Sequence, residues 1–328
     1  MLNNKINNTE RVNPHIHIFL GKGGVGKSTC SALWAVATLL TKSKVLLNSM
    51  DPAHNLHDIF KCKLCKNEHK VFDTLYVAES DIAAKSKEYI KSVQNTLKNV
   101  YHYQQSLNLE HYFSILKYAP GTEEYAALLV LEECLNKKNY DAIIVDTPPT
   151  ALTLKTLALP QVNLHWINSL AEMRQNIVNK TNGINKIRKE NLRTLEEDAV
   201  YQRLQLMKKR YEKIQKQLQD ESMTEFVLIM NEDELSLSES KLIKTQMTEL
   251  GFKIHKVIIN KSGMYIRNCF SGEQNNANIH TTISTNREEW KEKVKSVFSE
   301  SVIQILPMQE NPITGESMLK DCCSKFIN

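Results

Sequence analysis

His15-Ile16-His17-Ile18-Phe19-Leu20-Gly21-Lys22-Gly23-Gly24-Val25-Gly26-Lys27-Ser28-Thr29 is the stretch on which the fold turns. Its first six residues are apolar enough for a buried strand. The next eight fit the pattern G-x-x-x-x-G-K-[ST], and Ser28–Leu40 reads on as a helix. A glycine loop between a strand and a helix is built to hold phosphate. The glycines let the backbone wrap an anion, and the amides converge with a helix N-terminus behind them. Gly21, Gly23, Gly24, Val25 and Gly26 would supply that backbone. Lys27 would neutralise β- and γ-phosphates, Ser28 would offer its hydroxyl to Mg²⁺, and Thr29 falls near an α-phosphate. Lys22 is the unusual member, because ordinary loops of this kind require no charge there. It is either a solvated surface lysine or a side chain that reaches a partner subunit's phosphates, as an arginine finger does.

Outward from the loop, strand-like and helical segments alternate. Val45-Leu46-Leu47 leads to Asp51-Pro52, and Ala142-Ile143-Ile144-Val145 ends at Asp146. Phe226–Ile229, Val257–Ile259 and Val302–Leu306 follow. Continuous apolar strands separated by helices predict an α/β fold with a mostly parallel sheet covered on both faces. Residues 1–13 are polar and Asn-rich and read as a disordered lead-in. Residues 14–328 read as one domain, interrupted by helical insertions at about 86–116 and 163–222. In the second insertion, Val200, Leu204, Met207, Tyr211, Ile214 and Leu218 alternate spacings of four and three. Such a stripe is either a packing seam or part of a movable lid or client-binding surface. Ser271–Thr285 is polar and reads as a loop.

Composition excludes some classes. A net charge of +5 from 42 basic and 37 acidic residues is too mild to argue for nucleic acid, though it suits contact with an anionic membrane surface. The apolar run Ala32–Leu40 is too short to span a bilayer. Seven cysteines, an odd number in a chain of 328 residues, fit a reducing cytoplasm better than a disulfide framework.

Gly21–Ser28 resembles the deviant Walker A motif. Asp51-Pro52-Ala53-His54-Asn55-Leu56-His57-Asp58-Ile59-Phe60 resembles the switch I segment of the ArsA-type ATPases, which include arsenite-pump ATPases and ATPases that target tail-anchored membrane proteins. Asp146-Thr147-Pro148-Pro149-Thr150, with Leu154-Lys155 and Leu159-Pro160, resembles their switch II. Pro120-Gly121-Thr122-Glu123-Glu124, Ile259-Asn260 and Leu306-Pro307 extend the resemblance over essentially the whole chain. The resemblance implies an ATP-hydrolysing, Mg²⁺-dependent cytoplasmic homodimer of the P-loop NTPase type. Lys22 would act in trans, Asp51 would activate the attacking water, and Asp146 would hold Mg²⁺ through water. Asn260 would bond the adenine edge, and the segment from Pro307 would surround the base. Read from the residues alone, Asp51 before Pro52 also fits a turn, and Asn260 a strand cap.

Several positions depart from the family's pattern. Ala151 and Leu152 stand where switch II commonly carries Gly-His, which removes an imidazole and narrows backbone freedom. The cysteine pair that binds zinc in eukaryotic targeting relatives is missing from the region that follows Asn260, which holds only Cys269. Cys62 and Cys65 have the spacing of half a tetrahedral zinc site, but Lys61, Lys63 and Lys66 fit an exposed turn. Gly121 stands where the arsenite-pump relatives place a metalloid-binding cysteine, and no cysteine lies between Cys134 and Cys269. Three roles remain open. One is a carrier of membrane-protein helices, with Met173, Met207 and Met223 among its adaptable side chains. Another is the motor of an arsenite or anion exporter. The last is a non-catalytic nucleotide switch at a membrane.

Overall fold

A computed structural model describes residues 14–42, 44–53, 55–63, 67–100, 121–189, 191–192, 194–263 and 288–323, with side chains described outside 93–100. The expected lead-in, Cys65, Cys269, the Ser271–Thr285 loop and residues 101–116 of the first insertion lie outside that set.

Eight strands form one sheet in the order β3-β4-β2-β5-β1-β6-β7-β8. They are β1 His15–Leu20, β2 Val45–Ser49, β3 His69–Phe72, β4 Leu75–Glu79, β5 Ala142–Asp146, β6 Thr224–Asn231, β7 Ile254–Ser262 and β8 Val302–Pro307. Every pairing is parallel except β3 with β4. β2 and β5 are buried along their whole length, as strands covered on both faces must be. Alternation sets the layers. Ile16, Ile18 and Leu20 join the core on one face, and Phe19 joins the core on the other.

The second face is covered by α1 (Lys27–Leu39), α2 (Leu56–Phe60) and α9 (Glu316–Cys323). Helices α3 (Ile82–Val100), α4 (Thr122–Asn136), α5 (Thr150–Arg188), α6 (Ala199–Gln219), α7 (Glu234–Glu249) and α8 (288–297) lie toward the first. The β3–β4 hairpin was not anticipated. β3 begins with the exposed pair His69-Lys70, so it lacks an apolar run. Its turn runs through Asp73, which holds a left-handed φ of 46°.

Helix α5 also departs from expectation. The second insertion was expected to begin near residue 163. Instead one helix of 39 residues starts at Thr150, inside switch II, and passes Pro160 without ending. At 1.5 Å per residue it is about 58 Å long. Its C-terminal part and α6 form a hairpin. Arg174 Nη2 meets Asp198 Oδ2 at 2.6 Å, and Asp198 also caps α6 by accepting from Tyr201 N. Arg210 donates from Nε to Glu132 Oε1 at 2.8 Å, which ties α6 to α4.

The stripe on α6 is packed at its C-terminal end and exposed nearer its start. Tyr211, Ile214 and Leu218 are each 1% exposed and belong to the core. Val200 is 50% exposed and Met207 37%. Met223 lies outside the hairpin: it precedes β6, and its carbonyl accepts from Ile16 N. Among the described residues no helix is long and apolar enough to cross a membrane.

Leu218→Ala should cost about 2–5 kcal/mol in urea denaturation, the usual range for an emptied core site. Met207→Ala should cost less than about 1 kcal/mol. Equal losses would mean that the stripe packs along its whole length.

Candidate active site

The loop between β1 and α1 lies at the carboxyl edge of the sheet, between the ends of β5 and β6. Two of its glycines are forced by neighbours. A Cβ on Gly21 would stand 2.5 Å from the Ile229 carbonyl oxygen of β6. Gly26 has φ 93°, and a Cβ there would meet Asn260 Nδ2 at 2.3 Å. The loop is thus packed against the strands beside it. Asn260 Nδ2 donates to the Val25 carbonyl at 2.7 Å, and Lys261 Nζ donates to the Gly24 carbonyl at 3.0 Å.

Helix α1 has no side-chain cap and no acidic residue in its first turn. Its first amides therefore have no anionic side chain of their own, which suits a phosphate. Lys27 is only 5% exposed. Burial lowers its pKa, against the charges of Asp146 and Asp51. Its ammonium donates to the Lys22 carbonyl at 3.2 Å.

Asp146, at the tip of β5, is wholly buried. One oxygen accepts from Ser49 Oγ at 3.0 Å, while Oδ1 has no protein partner. Burial lifts the carboxyl to about 6, against hydrogen bonds from Ser28 and Ser49 and the charge of Lys27. An unpartnered carboxylate oxygen beside the Ser28 hydroxyl is the donor set that a hydrated Mg²⁺ takes, so these residues fit the metal. Thr147 Oγ1 donates to the Phe19 carbonyl at 2.5 Å, which locks β5 to β1 just before the loop.

Asp51 follows β2 and is half-buried. Its amide donates to Ser49 Oγ at 3.2 Å, and its Oδ1 accepts from Ala53 N at 3.0 Å. Ser49 therefore touches both Asp51 and Asp146, a link that sequence reasoning missed. Its only signal was a hydroxyl two residues before Asp51. Glu79 was missed too. At the end of β4, it accepts from Leu56 N at 2.9 Å and so holds the start of α2 in switch I.

Other expected members stand further out. Lys22 is exposed, and its ammonium meets Glu239 Oε1 of α7 in the same chain at 2.7 Å. Thr29 is half-buried in the first turn of α1. Asn260 is 6% exposed, and its amide faces the loop backbone. Pro307 ends β8 next to β7, where Met308 N donates to the Ser262 carbonyl. Ala151 lines a groove beside Lys22 with Pro149, Leu154, Glu239 and Leu242. Cys62 is half-buried, and burial pushes its thiol pKa up.

A glycine loop joining β1 to α1, a buried lysine at its end and a buried aspartate on the neighbouring parallel strand define a P-loop nucleotide hydrolase. The family model of anion-transporting ATPases, the ArsA type, matches residues 15–328. The chain belongs to that family, and it is an ATPase. It is 28% identical over 314 residues to the ATPase ASNA1 homolog 2 of Paramecium tetraurelia, covering 94% of this chain and 91% of the relative. It is 26% identical over 313 residues to the ATPase GET3A of Arabidopsis thaliana, covering 94% and 82%. It is 31% identical over 248 residues to an Aquifex aeolicus (strain VF5) protein provisionally named arsenical pump-driving ATPase 2, covering 75% and 79%.

The raised Asp146 value has a stability consequence. A carboxyl whose folded pKa lies above its unfolded one contributes stability that is complete below about pH 4 and is lost as pH rises through about 6. In nucleotide-free protein the loss is about 3 kcal/mol. Asp146→Asn should flatten that part of the profile when urea denaturation is compared at about pH 4 and pH 7.5. The same pH slope in both proteins would contradict the burial argument.

Proposed function

We propose that this ATPase is a cytoplasmic homodimer whose nucleotide cycle captures and releases a membrane-protein helix. The supporting observation is an apolar stripe exposed on α5. Val162, Trp166, Leu170, Met173, Ile177, Ile184 and Ile187 are between 45% and 85% exposed. Their spacings of three, four and seven place them on one helical face. From Val162 to Ile187 the stripe runs for about 38 Å, enough to lie along a membrane-spanning helix of roughly 30 Å. Val200 and Met207 of α6 extend the apolar surface. A stripe this long, interrupted only in the helical turn that carries Lys180 and Thr181, marks a binding surface, and an apolar helix-binding face is how proteins hold a helix.

In this reading Gly21–Ser28 and Lys27 bind the triphosphate, with Thr29 beside the α-phosphate. Asp51 orients the attacking water and takes its proton. Ser28 and Asp146 would hold the Mg²⁺, which when bound supplies positive charge to the phosphate oxygens. Asn260 and the segment from Pro307 border the base. Lys22 leaves Glu239 and turns to the partner's phosphates on closure. That exposed ion pair is worth at most about 1 kcal/mol, so its exchange costs little. Because α5 starts inside switch II, a shift at the phosphate end moves the stripe directly.

The pump reading draws support from the name of the Aquifex aeolicus relative. Against metalloid activation, no trio of thiols gathers among the described residues. Burial raises the thiols of Cys30 and Cys134 to about 12, far from thiolate character.

Asp51→Asn should lower phosphate release by more than about 100-fold while nucleotide binding, read by a fluorescent ATP analogue, stays within about threefold. A normal rate would remove Asp51 from its role. Trp166→Ser combined with Ile177→Ser should reduce capture of a synthetic transmembrane peptide by at least about tenfold, with circular dichroism confirming the fold. Undiminished capture would sink the carrier reading. Antimonite stimulation of the ATPase would favour the pump.

A further inference from the structure

At the far end of β1 from the phosphate loop sits a group of side chains that the nucleotide chemistry does not use. His15 and His17 are two apart on the strand, so their rings share one face of the sheet. That face is the one α1 covers, and the His17 ring stands edge-on to Trp34 with centroids 5.5 Å apart. His15 Nδ1 and His17 Nε2 are 3.2 Å apart. Register places His17 opposite Glu225 of β6, and Glu225 Oε2 lies 2.8 Å from His17 Nδ1. One ligand atom from each of these three residues lies within 4.8 Å of the others, a combination that no other trio of His, Cys, Asp or Glu achieves among the described residues.

We propose that this cluster binds a divalent transition metal of the zinc, nickel or copper class, with His15 Nδ1 and His17 Nε2 as ligands and Glu225 as the carboxylate that positions His17. Zinc–nitrogen bonds of 2.0–2.1 Å set two nitrogens of a tetrahedral site about 3.3 Å apart. The ring nitrogens already stand at 3.2 Å. A carboxylate on the far nitrogen of a ligand histidine fixes its tautomer and raises its basicity, and Glu225 occupies that place on His17. The proton on His15 Nδ1 moves to Nε2 when the metal binds, and the half-buried ring leaves coordination positions open to water.

The surrounding charges choose the kind of ion. Lys256 Nζ lies 3.2 Å from Glu225 Oε1 and 4.4 Å from the Trp34 ring centroid, and Lys42 adds a second positive charge nearby. Lys256 already offsets the carboxylate, so a bound ion gains little from Glu225's charge. Binding depends on the two imidazoles, which selects against Mg²⁺ and Ca²⁺. A bound ion would clamp His15 and His17 at the start of the strand that carries Gly21. Glu225 would extend that clamp to the strand whose Ile229 carbonyl abuts Gly21.

The test uses nucleotide-free full-length protein with Cys62→Ser and Cys65→Ser, which removes the competing thiol pair. Trp166→Phe and Trp290→Phe leave Trp34 as the single indole. Titration with Ni²⁺ should show one saturable equivalent by calorimetry and quench Trp34 emission in parallel. His15→Ala, at a half-buried position that spares the core, should weaken binding at least about tenfold and abolish the quenching. Glu225→Ala should weaken it about tenfold, and Glu225→Gln, which keeps a hydrogen-bond acceptor, should recover most of the loss. Lys256→Met should tighten it. Binding unchanged by His15→Ala, or saturable binding that leaves Trp34 emission untouched, would overturn the proposal.

Discussion

A lysine and an aspartate are buried together at the carboxyl edge of the sheet, and the arrangement of the site follows from them. Lys27 is 5% exposed and Asp146 not at all. Burying ions costs several kcal/mol each unless geometry and hydrogen bonds repay it. Here repayment is partial. Burial pulls the lysine pKa down and lifts the aspartate to about 6, and Asp146 Oδ1 has no protein partner. Groups left in that condition concentrate at binding sites, and the proposed phosphate and Mg²⁺ would complete what the protein leaves undone. The neighbouring strands hold the two charges in place. Ser49 bridges Asp146 to the Asp51 backbone, Thr147 fastens β5 to β1, and Asn260 grips the loop through Val25.

Those contacts connect the site to the remainder of the molecule through one long element. Asp146 is four residues from the start of α5, and α5 runs to Arg188. Pro160 sits inside it, buried, where it removes one backbone hydrogen bond and marks a place to bend. The apolar stripe begins at Val162, just beyond that proline. The end of switch II, the proline and the apolar stripe thus lie in order along a single helix.

Much of this was legible in the residues because local chemistry dictated it. Short, β-branched apolar runs such as Ala142–Val145 suit buried strands, and a glycine loop after a strand and before a helix has few uses. Less could be read where structure depends on distant partners. β3 is a strand because β4 pairs with it, since its own His69-Lys70 start is polar. The α6 stripe has one period throughout, yet only its C-terminal half is covered, because coverage depends on what packs opposite. Asn260 also grips the loop, a contact that no local pattern announces. Its amide lies against Val25 and Gly26, and Asn260 and Val25 are 235 residues apart in sequence. Ser49 and Glu79 escaped notice because a single serine or glutamate at a strand end carries no pattern.

Two ion pairs, Lys22–Glu239 and Arg210–Glu132, differ in how firmly they hold. Lys22 reaches Glu239 at 2.7 Å, as short as many structural ion pairs, but both side chains are more than one-third exposed. Water competes for each, so distance alone overstates the bond. Arg210 differs in kind. It makes a bidentate contact to Glu132 with Tyr125 Oη within 3.3 Å, beside buried Tyr211, and it fixes α6 on α4. Bidentate geometry and partial burial make such a pair costly to separate. The firm pair anchors α6 to α4 at the base of the helical hairpin. The weak pair restrains the one loop lysine that faces outward. A lysine held for good would be a structural residue, and one held by nothing would be dispersed over many rotamers. Resting on Glu239, it is ordered near the phosphate loop and still free to be exchanged.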